Sequence, residues 1–428
     1  MRKCAMNRFF YSTLLYVVLP FVPLKLLWRG IKQPEYRQHW AERFGFYQVK
    51  SVKSVIWLHC VSVGETRAAE PLIKALLLKY PNHQILLSHT TPTGRDASEQ
   101  LFADQIFNNR VQRVYLPYDL PFAVNRFLKH FQPKIGLLME TELWFNLIAS
   151  CKKSDISLLL LNARLSEKSA KGYGKLGRLV TDGLQALEAI AAQTADDAAR
   201  LKKLGASNVT VFGNLKFDVK PPADALEKGL QLCQLFSAND DRIVFLAAST
   251  REGEEALILE AVKDLGFLTV IVPRHPQRFD EVEVLIKQAG FNYQRRSQLT
   301  IPIDENIQII LGDSMGELFS YYAACDFTFV GGSLLEFGGQ NLIEAATMGK
   351  PILIGQYTYN FAEASKNAVA AGAAIQVKNV VELRSNIQSL VNNPQQRQKM
   401  QQASLDFSQA STGATAKTMQ LIATYLKP

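Results

Sequence analysis

"WLHCVSVGETRAAEPL", residues 57–72, joins an apolar run to a helical pattern through a glycine. Val55–Val61 reads as a strand. Gly64 permits a tight turn, and a helix is expected from there to about Lys79. A strand, a tight turn and a helix N-terminus together make the usual receptor for a ligand's anion, because the helix end carries free N–H groups and partial positive charge. Here the chain places its own carboxylate, Glu65, at that spot. A charged group installed where a ligand's charge usually sits raises the question of what Glu65 is for.

The strand-and-helix unit recurs on either side of this stretch. Further strands are expected at Gln84–Ser88, Arg113–Leu116, Ile135–Met139, Ile156–Leu161, Ala189–Ala192 and Val209–Phe212, with helices between them such as Pro121–His130 and Leu143–Lys152. Continuously apolar strands that alternate with helices imply a parallel sheet covered on both faces. A break follows at "GNLKFDVKPPADA", Gly213 to Ala225, where Pro221–Pro222 reads as a linker. The alternation then restarts, with strands expected at Arg242–Ala247, Leu268–Val272, Gln308–Leu311, Phe327–Val330 and Pro351–Ile354, and a mostly helical tail from Val380 to Leu426. The expected division is a membrane-attachment helix at 1–30, an α/β domain at 31–213, a linker at 214–225, a second α/β domain at 226–400 and a C-terminal helix at 401–428 packing back on the first domain. Such doubly wound folds bind ligands beyond the C-terminal ends of their strands, and a pair of them is expected to place a cleft between those ends.

A chain of 428 residues is long for one core, which agrees with two domains. Five scattered cysteines without a CxxC pair argue against a disulfide framework or a zinc site. The net charge of +9 is unevenly placed: residues 1–50 hold nine Lys/Arg and two acids, so +7 of the net +9 lies there. Beyond residue 50 no basic stripe remains for a nucleic acid. The cations surround one apolar stretch, Phe9 to Trp28. It is just long enough to span a bilayer core, which takes about 20 residues, but Pro20, Pro23 and Lys25 make it a poor straight span. It reads as an uncleaved anchor or as a helix lying in the membrane interface with its cations on anionic headgroups.

Several strand-end loops carry candidate ligands. "VGGSLLEFGGQNLIEAATMGKPILIG", Val330 to Gly355, has glycine pairs at Gly331–Gly332 and Gly338–Gly339 and a helix expected from Asn341, with Glu344 on the same face. Backbone can approach a phosphate there, and a Glu can accept ribose hydroxyls; glycine-rich turns with a solvated Glu would look the same. "VIVPRHPQRF" ends a strand in Arg274 and His275, and the arginine fork suits a phosphate. "GDSMGELF" is a further turn, in which Asp313 or Ser314 is an ordinary helix cap on the plainest reading. "LLMETELWFN" puts Glu140 and Glu142 after a buried strand, where charge is costly unless used or paired. Lys216 lies in the expected linker.

Taken in order, "HCVSVGE", "TPTG", "LPYDLP", "METELW", "NARLS", "GNLKFD", "PRHPQRF", "MGEL" and "GGSL…GGQN…EA" closely resemble the 3-deoxy-D-manno-octulosonic acid (Kdo) transferases of lipopolysaccharide assembly, glycosyltransferase family 30. The resemblance implies a GT-B glycosyltransferase of two Rossmann-like domains, CMP-Kdo as donor, a lipid A precursor (lipid IVA) as acceptor, and attachment to the cytoplasmic face of the inner membrane. It implies Glu65 as general base, transition-state roles for Glu140 and Lys216, and contacts to CMP from Pro273, Arg274, Met315, Gly316, Glu317, Asn341, Leu342, Ile343 and Glu344. Two positions depart from the family's habit: Gln340 stands where a His is common, and Phe145 where a Pro is common. The second is expected to touch only the start of a helix. No metal or other cofactor is expected, since no metal-ligand cluster or convincing DxD loop is present and one phosphate needs less neutralisation than two. The competing reading is a GT-B enzyme using a nucleotide-diphosphate sugar on a membrane lipid.

Overall fold

The computed structural model describes residues 7–49, 53–218, 221–236 and 242–426. Arg2, Lys3 and Lys50 of the basic N-terminal region, and Val219 and Lys220 of the expected linker, lie outside them.

The chain forms two compact units, Met1–Asp218 with Thr412–Pro428, and Val219–Ser411. The first holds β1 (Ser54–His59), β2 (His83–His89), β3 (Val111–Tyr115), β4 (Ile135–Met139), β5 (Ser157–Ala163), β6 (Ala189–Ala192) and β7 (Val209–Val211). They make one sheet in the order β3-β2-β1-β4-β5-β6-β7, parallel throughout. Helices cover both faces, so β1 is buried at every residue but Ser54 and β4 at every residue. That is why these strands read as unbroken apolar runs. Gly136 in β4 is a packing requirement: a Cβ there would stand 2.8 Å from the Trp57 ring. The Trp57 indole N–H donates to the Ser88 hydroxyl (2.7 Å), which satisfies its one polar atom inside the core.

The second unit repeats the plan with β8 (Val244–Thr250), β9 (Leu268–Pro273), β10 (Tyr293–Arg295), β11 (Ile309–Leu311), β12 (Phe327–Val330), β13 (Ile352–Ile354) and β14 (Ala374–Gln376). Their order is β10-β11-β9-β8-β12-β13-β14, again all parallel. The strand order reverses between β1 and β4 in one sheet and between β8 and β12 in the other. Each sheet therefore has one switch point, the place where doubly wound sheets take their ligands.

The expected linker begins with residues that belong to the first unit. Leu215 and Phe217 are buried in it, and the Asp218 carboxylate accepts from the Gly413 and Thr415 N–H groups. The helix Ala414–Tyr425 packs on the helix Val63–Lys79 of the same unit, whereas the helix Pro394–Ser411, which straddles the expected limit at residue 400, stays with the second.

The N-terminal apolar stretch is two helices, Arg8–Val18 and Val22–Lys32, joined by a 3-10 turn at Leu19–Phe21 that contains Pro20. One face docks on the first unit. The Tyr11 hydroxyl donates to Asp119 (2.9 Å), Ser12 to Asn146 (2.9 Å), and the Tyr11 ring meets Phe145 edge-on at 5.2 Å. Phe145 thus does more than start a helix: it is a buried platform for the N-terminal segment, contrary to the expectation that its replacement of Pro touches helix geometry alone. The other face exposes Phe9, Leu14, Phe21, Leu24, Trp28 and Ile31.

Candidate active site

The helix Val63–Lys79 starts directly after β1, and Ser62 is its N-cap. Ser and Glu three residues apart at a helix start form a capping pair. The Glu65 N–H donates to the Ser62 hydroxyl oxygen (3.4 Å), and the Ser62 hydroxyl donates to Glu65 Oε1 (3.1 Å). Glu65 Oε2 accepts from the Val61 N–H at 2.7 Å. An ordinary capping glutamate is solvated and ionised at neutral pH. Glu65 is only 7% exposed. Its pKa is raised to about 8, first by burial and then by the charges of Glu140 and Glu142, against the lowering effect of the Val61 N–H. A helix N-terminus lowers a carboxyl pKa and burial raises it; in the folded unit burial outweighs the helix.

Glu140 and Glu142 follow β4, across the switch point from Glu65. Glu140 adopts a left-handed backbone (φ 58°), which is uncommon for a residue with a side chain and gathers at functional positions. Its N–H is tied to the Leu161 carbonyl (2.9 Å), which anchors the turn. Glu142 accepts from the Trp144 indole N–H (2.7 Å), and burial raises its pKa. The Lys216 ammonium lies 3.8 Å from Glu140, both side chains being about one-quarter exposed. Three carboxyl groups and one lysine, from three segments of sequence, therefore meet in the first unit.

Lys216 is held by groups that sequence reasoning did not single out. The Leu215 N–H donates to Asn162 Oδ1 (3.0 Å), and Asn214 Oδ1 accepts from the Lys216 N–H (3.0 Å). The Asn214 amide in turn donates to Gln193 (3.1 Å). Asn162 is buried and left-handed (φ 52°). Asn tolerates that conformation, so the only signal available was an Asn at the end of an apolar strand. Asn162→Gly keeps the backbone geometry and removes the bond. It is expected to cost about 1–3 kcal/mol in denaturant unfolding and to lower turnover roughly tenfold through a looser Lys216. Unchanged unfolding and turnover would show that Asn162 does not position the turn.

Two buried histidines underlie the site. His59 Nδ1 lies 2.9 Å from both the carbonyl and the hydroxyl of Ser88, and His89 Nδ1 is 2.9 Å from the Cys60 carbonyl. Burial lowers their pKa values to about 4 and about 3, so both are neutral and carry the proton on Nδ1. They brace the backbone from which Glu65 is presented.

In the second unit, Pro273 ends β9 and the Arg274 N–H donates to the Thr250 carbonyl (3.0 Å). Asn341 caps the helix Leu342–Thr347: its Oδ1 accepts from the Ile343 N–H (3.1 Å) and its Nδ2 donates to Glu344 (3.0 Å). Leu342 and Ile343 are buried. Met315 is exposed, Gly316 takes φ 79°, and Glu317 begins the helix Leu318–Ala324 and meets Arg296 at 3.4 Å. Asp313 and Ser314 are not helix caps: Asp313 accepts from Ser297, and Ser314 bonds the Tyr321 hydroxyl. Gln340 packs against Gly332. Among the described residues no group of three or more His, Cys, Asp or Glu is arranged to hold a metal ion.

Known proteins bear the same pattern. Residues 38–219 match the family described as 3-Deoxy-D-manno-octulosonic-acid transferase, and residues 243–406 match Glycosyl transferases group 1. The 3-deoxy-D-manno-octulosonic acid transferase of Bordetella pertussis is 38% identical, with 98% of this chain and all of the relative aligned. That of Haemophilus influenzae is 36% identical over 99% of each. Two solved structures share the fold at low identity, which speaks for the fold alone. They are Acinetobacter baumannii MurG (TM-score 0.55, 14% identity, 87% of this chain and 99% of that one) and the UDP-GlcNAc 2-epimerase of Neisseria meningitidis (TM-score 0.54, 18% identity, 87% and 100%). Two Rossmann-like units of GT-B type, together with near-complete alignment to these transferases, establish that the chain belongs to the 3-deoxy-D-manno-octulosonic acid transferase family and is a glycosyltransferase of lipopolysaccharide biosynthesis.

Proposed function

We propose that the chain moves Kdo from CMP-Kdo to a sugar hydroxyl of a lipid A precursor, lipid IVA, with inversion at the anomeric carbon. The observation that carries this reading is the meeting of Glu65, Glu140, Glu142 and Lys216 at the switch point of the first unit. In its ionised form Glu65 takes the proton of the acceptor hydroxyl while that oxygen bonds the anomeric carbon. The bond from that carbon to the phosphate oxygen breaks, and its electron pair leaves with CMP. Lys216 and Glu140 stabilise charge as it develops. The second unit binds CMP through Pro273–Arg274, Met315–Glu317 and Asn341–Glu344. A monophosphate leaving group is served by fixed cations and N–H donors, so turnover requires no metal; loss of activity on chelation, restored by a divalent ion, would count against this. Incubation with CMP-Kdo and tetraacylated lipid A precursor should yield a product heavier by one or more Kdo units in mass spectrometry. No mass gain, with both substrates intact, would sink the assignment.

The N-terminal segment supports attachment at the cytoplasmic face of the inner membrane, lying in the interface. Its Tyr11 and Ser12 are committed to polar groups of the first unit, and its apolar side chains face outward. Arg8, Lys25, Arg29 and Lys32 supply charge for anionic headgroups. Burying each large apolar side chain contributes about 1.5–3 kcal/mol. Leu24→Glu combined with Trp28→Glu is therefore expected to lower sedimentation with anionic vesicles by at least about tenfold, whereas unaltered sedimentation would place the contact elsewhere.

A further inference from the structure

Arg251 stands at the switch point of the second unit, just past β8 and opposite the glycine turn that follows β12. Its surroundings are unusually fixed. Ser249, at the end of β8, is buried and left-handed (φ 55°), a strained state for a residue with a side chain. Gly331 packs so closely on this end that a Cβ would stand 2.6 Å from the Ser249 carbonyl oxygen. Glu254 is fully buried, and its carboxylate accepts from the N–H groups of Arg251 (2.9 Å), Gly332 (2.6 Å), Ser333 (3.0 Å) and Leu334 (2.9 Å). This one carboxylate binds the 251 turn to the glycine turn. Glu255, the next acid, is consumed by Thr250 and by both terminal nitrogens of Arg278.

The Arg251 guanidinium stacks on the Phe337 ring (4.7 Å to the centroid) and makes no ion pair among the described residues. That contact engages one side of the guanidinium and leaves its N–H groups to meet a planar anion. The Arg274 N–H bonds the Thr250 carbonyl, so the two arginines leave adjacent strand ends. His275 feels both, since burial and the charges of Arg251, Arg274 and Arg278 lower its pKa.

A donor carrying an octulosonic acid on a nucleoside monophosphate has two anions flanking one carbon, the phosphate and the sugar carboxylate. We propose that Arg251 is the subsite for the sugar carboxylate, beside Arg274 for the phosphate. The inference rests on the reading of the second unit as the CMP-Kdo unit. A bidentate guanidinium–carboxylate pair recognises shape as well as charge, which makes Arg251 a determinant of which activated sugar is accepted.

The test measures binding to the full-length protein of CMP, of a non-transferable CMP-Kdo analogue, and of that analogue with its carboxylate converted to a carboxamide. Wild type is expected to prefer the carboxylate analogue by about 10- to 100-fold. Arg251→Gln is expected to lose that preference while binding CMP within about twofold of wild type, and Arg251→Lys to keep only part of it. A wild-type protein indifferent to the carboxamide, or an Arg251→Gln protein that still discriminates, overturns the proposal. A parallel loss of CMP affinity in both variants assigns Arg251 to the phosphate and overturns it too. Absence of CMP binding to wild type refutes the donor reading of this unit instead.

Discussion

Glu65→Gln is expected to lower turnover by about 10²–10⁴-fold with little change in CMP affinity. The amide oxygen can still accept from the Val61 N–H at the position now filled by Oε2, so the turn keeps its shape while the base is gone. Ionisation of the same group sets the pH dependence. Only the deprotonated carboxylate accepts a proton, and burial raises the pKa to about 8. The rate should therefore climb roughly tenfold per pH unit below that value and level off above it. Glu140→Gln removes a neighbouring charge that favours the protonated form, so it should move the rise to lower pH. Steady-state rates across pH 6 to 9.5 (about the range the assay needs) decide the matter. A Glu65→Gln enzyme within threefold of wild type, or a wild-type profile flat through pH 8, would remove Glu65 from the role of base.

Lys216→Met is expected to cost about 10²–10³-fold in single-turnover rate. The side chain is partly enclosed, its turn is fixed by Asn162, Asn214 and Asp218, and its ammonium stands 3.8 Å from Glu140. A solubilising linker lysine would need none of this support. If the two act together on developing charge, the Lys216→Met, Glu140→Gln double variant should lose less than the product of the single losses. Fully multiplicative losses would mean that the pair works at separate steps, and a near-normal Lys216→Met rate would return the residue to a structural part.

Much of this architecture was legible in the chain. Strands such as Ile135–Met139, Ala189–Ala192 and Phe327–Val330 have the limits that their mostly apolar runs indicate, because strands buried on both faces are apolar nearly throughout. β10 and β14 went unread. Each is three residues long and lies at an edge of its sheet, and Tyr293–Arg295 is half-buried and polar, so neither alternation nor an apolar run announces it. The strand-end glutamates and the capped start at Asn341 were equally visible, since each depends on residues close together in sequence, and the family showed in the order of several such short motifs along the chain.

Sequence by itself determined the two parallel sheets, the kinship to Kdo transferases and the identity of the acids beside β1 and β4, because hydrophobic period and local turn chemistry are written in neighbouring residues. Only the tertiary structure decided that Lys216 belongs to the body of the first unit, that Asn162 reaches across 53 positions to hold its turn, that Phe145 receives Tyr11, and that burial raises the pKa of Glu65 despite its place at a helix N-terminus. Each of these is the outcome of a contest, burial against hydrogen bonding and one charge against another, whose participants are distant along the chain and meet only when it is folded.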